Sequence, residues 1–178
     1  MISPLRWIET LGGPWIFCPV DEKSRWGGGV RSLFLGNCKN DYEGLCASMR
    51  DQNGQGTYSA VIGDNKHWMG IGEMAQQITV INLKSAGLSI VEWIGADDDD
   101  SELAELLEAA EHTMLLNDVE LNIVQPKYEL FDSVWSGLEE AETIEVSIMP
   151  GRYRAVSQIF KIPNGEFAVT SFLLQNQG

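Results

Sequence analysis

The sequence predicts an α+β fold: a mostly antiparallel β-sheet with one principal amphipathic helix, at about residues 99–116, in a single domain spanning residues 1–178. Three observations predict it. Short runs rich in β-branched and aromatic residues alternate with Gly, Asn, Asp and Pro clusters, the pattern of strands and turns. One stretch carries apolar residues at helical spacing: Leu103, Leu106, Leu107, Ala110 and Met114. A chain of 178 residues is also long enough to bury a proper core as one unit.

The elements follow in chain order. Residues 5–20 read as two short strands around the sharp turn Gly12-Gly13-Pro14. Residues 21–26 read as one helical turn, stopped by Gly27-Gly28-Gly29. Residues 30–56, rich in Gly, Asn, Asp and Gln, read as loop, with a short helix or turn at 41–49. Residues 58–62 and 67–71 bracket Gly63-Asp64-Asn65-Lys66 as a hairpin. Residues 78–81 and 88–94 are strands by their β-branched content. The helix follows, with Asp99 and Glu102 as a capping box. Strands are expected at 119–124 and 128–131, and a short helix within 133–141. Ile144, Val146 and Ile148 alternate with polar residues. Residues 152–162 and 166–174 then form a hairpin through Asn164-Gly165, the preferred type I′ pair.

Composition narrows the function. Lys and Arg number 12 against 26 Asp and Glu, a net charge of −14. Direct nucleic-acid binding needs clustered cations, so it is excluded, and a basic partner is favoured. There is no apolar run of the roughly 20 residues that a membrane helix needs, so no membrane partner is expected. The first residues lack the basic-then-apolar order of a secretory signal. Cys18, Cys38 and Cys46 read as reduced core thiols in a cytoplasmic protein. With only His67 and His112 beside them, no structural metal is expected. Gly27-Gly28-Gly29 lacks the Lys-Ser/Thr of a phosphate loop, and Asp97 to Asp100 lack EF-hand spacing. No Gly-x-Ser-x-Gly elbow appears, so neither an enzyme nor a cofactor is expected.

Several short motifs occur in a fixed order. Trp7 leads into Gly12-Gly13-Pro14 and the run Trp15-Ile16-Phe17-Cys18-Pro19, then Trp26-Gly27-Gly28. Asp41-Tyr42 with Leu45-Cys46-Ala47, Gly72-Glu73, and Ile90-Val91-Glu92-Trp93-Ile94-Gly95-Ala96-Asp97 follow. This order, over about residues 5–98, resembles the Immunity protein 21 family of bacterial toxin systems. The stretches at 30–40 and 52–56 run longer than that pattern. The resemblance implies a non-catalytic cytoplasmic protein, made beside a toxin, that binds the toxin and blocks it.

The second functional signal is charge. No Lys or Arg occurs between Ser85 and Pro126. On the predicted helix Glu102, Glu105, Glu108 and Glu111 share the arc opposite the leucines, with Asp97, Asp98, Asp99 and Asp100 just before it. Two readings stand side by side: a solvated helix face, or a surface that steers a basic toxin, a nuclease being one candidate. Trp7, Trp15 and Trp93 lie in apolar runs and read as core, whereas Trp26 and Trp68 are candidate contact anchors. A small-ligand or protein-binding module unrelated to toxins is the alternative function.

Overall fold

The computed structural model describes residues 5–50, 57–72, 77–85, 87–96, 102–163 and 165–175. Its strands are β1 (Ile8–Glu9), β2 (Trp15–Pro19), β3 (Ser59–Ile62), β4 (Trp68–Ile71), β5 (Gln77–Leu83), β6 (Gly87–Ala96), β7 (His112–Ile123), β8 (Lys127–Asp132), β9 (Thr143–Ser147), β10 (Gly151–Ile162) and β11 (Gly165–Leu174). A 3-10 helix spans Val20–Arg25, and the α-helices are α1 (Asp41–Ser48) and α2 (Leu103–Ala109). The strands form two sheets, a larger one ordered β1-β5-β6-β11-β10-β7 and a smaller one ordered β3-β4-β2-β8-β9. Every pairing among the described residues is antiparallel. No helix among them is long and apolar enough to cross a membrane.

Side-chain alternation explains the layering. On β2, Trp15 and Phe17 face the larger sheet and meet Ile78, Ile90, Tyr153 and Phe172 in the core between the sheets. Ile16 and Cys18 point the other way, to a second core under α1, with Leu45, Met49, Trp26 and Trp68. A strand covered on both faces reads as an unbroken apolar run, which is why this segment shows no polar alternation. The outer face of the larger sheet holds a third core, where Val91, Phe167 and Val169 receive Leu103 and Leu107 of α2.

Two expectations are corrected. Among the described residues, the helix predicted at 99–116 is α2 alone, about two turns over Leu103–Ala109. The chain turns extended at Ala110, and Met114 lies on β7, 53% exposed. Residues 112–123 instead pair with β10 along its length, from Phe160↔His112 to Gly151↔Ile123. That long-range ladder outweighs a weak local helical preference, as tertiary context commonly does. Asp99, the expected cap, lies outside the described residues; Glu102 occupies the cap position without a side-chain capping bond. Residues 133–141 are turns rather than a helix. By contrast α1 has a true cap, since the Asn40 side chain accepts the Glu43 amide at 2.7 Å. Cys18 is a core thiol as expected, whereas Cys38 and Cys46 are only half-buried.

Candidate functional site

The N-terminal landmarks converge on one place. A Cβ at Gly13 would come within 2.6 Å of the Tyr42 ring. The Gly27 amide donates to the Asp41 carboxylate at 2.8 Å, and the Tyr42 amide donates to the Gly28 carbonyl at 3.0 Å. Asp41, fully buried, also accepts the amides of Leu33, Phe34 and Leu35 at 2.9–3.0 Å. One carboxylate at the start of α1 thus organises the whole preceding loop, where the helix dipole also favours it. Both carboxylate oxygens are engaged by the chain's own groups, the four amides and the Ser32 hydroxyl at 3.4 Å, so this cluster is a scaffold.

The same loop decides the fate of two predicted anchors. Trp26 and Trp68 are both 0% exposed, so neither offers a contact surface. The residue 30–40 stretch lays Phe34 on Trp68, ring centroids 4.1 Å apart, and Trp68 lies 6.0 Å from Trp26. The Trp26 indole donates to the Ser133 carbonyl at 2.9 Å. The Trp68 indole donates to Glu22 at 3.3 Å, beside His67 at 3.1 Å. A loop read as surplus length is the cover that buries these rings.

The predicted acids divide. Asp97, Asp98, Asp99 and Asp100 lie outside the described residues. Glu102 and Glu105 are exposed on α2, on the side away from Leu103 and Leu107, and Glu111 is exposed just before β7. None of these three forms an ion pair among the described residues. Glu108 accepts the Ser85 amide at 3.1 Å, and hydrogen bonding to Ser85, from its side chain first and its backbone second, lowers the Glu108 pKa. Further along, compensation appears: Arg154 pairs with Asp118 and Arg152 with Glu120 across the β10–β7 ladder. The uncompensated negative surface is therefore α2 and the start of β7, not the whole stretch to Pro126.

Glu92 is a site residue that sequence reading passed over. It follows Leu88 and Ile90 on the inward face of β6 and is 1% exposed. Its Oε1 accepts a short hydrogen bond from the Tyr58 hydroxyl, while Oε2 has no partner among the described residues. Burial pushes its pKa up to about 7. Gly72, at φ +71°, packs on this carboxylate so closely that a Cβ would lie 2.1 Å from Oε2. That contact accounts for the glycine of the Gly72-Glu73 landmark and leaves no room for a ligand. The signal was available: an acid at a period-two apolar position.

A groove of about 420 Å3 opens at one end of the inter-sheet core, lined by Leu88, Ile148, Met149, Tyr153, Phe172 and Leu174. The Tyr153 hydroxyl is engaged with the Met149 carbonyl at 2.9 Å. Among the described residues no group of three His, Cys, Asp or Glu side chains gathers to hold a metal.

No curated protein and no solved structure matches this chain. A family match covers residues 6–165 of the 178, well past the landmarks that end near residue 98 and through α2, β7, β8, β9 and all of β10. That match spans most of the chain and so identifies it: the chain belongs to the Immunity protein 21 family.

Proposed function

We propose that this chain neutralises a cognate toxin by binding it stoichiometrically and occluding its active surface, without catalysis, in the cytoplasm of the cell that makes both. Family membership over residues 6–165 is the observation that carries this reading. The landmark residues support it by their occupation: Asp41, Trp26 and Trp68 are consumed in holding the fold, which leaves the surface free for recognition. The partner is a basic protein domain, with a nuclease as one candidate, because a chain of net charge −14 attracts cations and repels nucleic acid. Glu102, Glu105 and Glu111, with Glu108 and Asp97 to Asp100 in support, steer that partner. Co-expression tests the reading directly. The toxic C-terminal domain encoded beside this chain should kill cells alone and spare them when this protein is present; death in both cases removes the toxin assignment.

Steering has its own test. Glu105→Lys combined with Glu111→Lys is expected to slow association about 10-fold at low salt, with the deficit shrinking near 0.5 M salt (Debye length of roughly 4 Å). Stopped-flow on-rates check it, and an unchanged rate at low salt removes α2 from the mechanism while leaving binding intact. The alternative, a small-ligand module unrelated to toxins, rests on the 420 Å3 groove and its apolar lining.

A further inference from the structure

The turn segment between β8 and β9 presents apolar side chains on a backbone that cannot relax. Asp132, 2% exposed, accepts the Leu11 amide at 2.7 Å, the Thr10 hydroxyl at 2.8 Å and the Val134 amide at 2.9 Å. The Gly29 amide donates to the Val134 carbonyl at 2.8 Å, and the Gly137 amide to the Trp26 carbonyl at 2.8 Å. Gly28, at φ +59°, lies so close that a Cβ there would come 2.5 Å from the Val134 oxygen and 2.6 Å from the Ser136 nitrogen. Ser136 and Glu139 close the turn by two further bonds, 2.6 Å and 3.0 Å.

From this fixed backbone Trp135 stands 37% exposed and Leu138 63% exposed. Leu11 (70% exposed) and Val30 (74% exposed) stand on or next to the two segments tied to this turn through Asp132 and Gly29. Trp135 is the one tryptophan in the exposed class among the described residues. Glu139, Glu140 and Glu142, all exposed, follow directly. No Lys or Arg occurs between Tyr128 and Gly151, and neither Glu140 nor Glu142 has an ion-pair partner among the described residues.

We infer that Trp135 and Leu138 form the apolar anchor of a docking surface for a basic protein partner, with Glu140 and Glu142 as its charged rim. The inference rests on the toxin-binding reading and locates its contact. Trp is the residue type most often found to dominate an interface, and an anchor already held in its bound position loses little conformational entropy on docking. The acid rim selects the occupant. It repels phosphate, anionic lipid headgroups and a second copy of this chain, and it attracts a shallow apolar pocket ringed by Lys and Arg. The α2 acids act at a distance on the approach; this surface acts in the complex.

The test measures binding of the full chain to the purified C-terminal domain encoded beside it. Trp135→Ala is expected to weaken Kd by about 30-fold or more, chiefly through faster dissociation, with Trp135→Phe recovering part of the loss. Leu138→Ala is expected to weaken it about 10-fold. Glu140→Lys with Glu142→Lys should reduce the on-rate in a salt-dependent way. Leu138 is mostly exposed, so its variant keeps the fold, and unchanged melting temperatures verify this for all. Tight binding by the unaltered protein with both alanine variants within twofold of it overturns this surface and leaves the toxin reading standing. No binding by the unaltered protein overturns both.

Discussion

Asp41→Ala is expected to destabilise the protein by about 3–5 kcal/mol, because its loss strands one buried and three part-buried amide donors at once. The carboxylate takes the amides of Gly27, Leu33, Phe34 and Leu35, and an alanine methyl accepts none of them. Each buried unsatisfied amide costs about 1–3 kcal/mol, offset in part by water entering the loop. Phe34 would come away from Trp68 and open the core beneath α1. Urea denaturation at pH 7 measures the loss. Asp41→Asn keeps one acceptor oxygen and is expected to fall between the parent and the alanine variant. A change below about 1 kcal/mol in Asp41→Ala would show that the loop organises itself without the carboxylate.

Glu92 has the opposite character. Its carboxyl ionises near 4.5 in the unfolded chain and holds its proton up to about 7 in the folded one. Below pH 4.5 both states carry the proton and burial of the neutral acid is cheap. Between those values the unfolded chain gains free energy by ionising while the folded one does not, so stability falls as pH rises and levels off above about 7. The full decline attributable to this group is about 3 kcal/mol. Burial also pushes the Tyr58 hydroxyl well up, so it remains a donor throughout this range. Glu92→Gln retains an acceptor for Tyr58 and abolishes the titration. It is therefore expected to be more stable than the parent at pH 8, by about 1–3 kcal/mol, and no more stable at pH 4. Equal stabilities of the two proteins at both pH values would remove the buried proton from the account.

Sequence legibility followed the range of the interactions. The hairpin β10–β11, α1, and the strands around Gly12-Gly13-Pro14 were readable because turn residues and alternation are local signals. The two-sheet division was not, since nothing in the Trp15–Pro19 run says that its alternate faces serve different cores. The start of β7 was misread as helix because Leu103, Leu106, Leu107 and Ala110 do follow helical spacing, and Met114 continues it by coincidence. Of the candidate site, the acids on α2 were legible from charge alone. Trp26 was misplaced because the glycines after it look like exposed loop, whereas here they permit close approach of backbone, and Trp68 because it sits near a hairpin tip, which Phe34 covers. Trp135 gave no signal beforehand; its exposure is a product of bonds from the nearby Asp132 and from Gly29 and Trp26, both distant in the chain.

β11 lies in the interior of the larger sheet, between β6 and β10, yet it is the last strand in order among the described residues, and the family match stops where it starts. All five strands of the smaller sheet are already made by residue 147. During synthesis the larger sheet therefore waits as two separate fragments, β1-β5-β6 and β7-β10, each with a bare edge open to wrong pairing. Only arrival of the final ten-residue segment zips them together. A chain cut just short of that segment leaves both of those edges bare, so the larger sheet is completed in one step and not strand by strand.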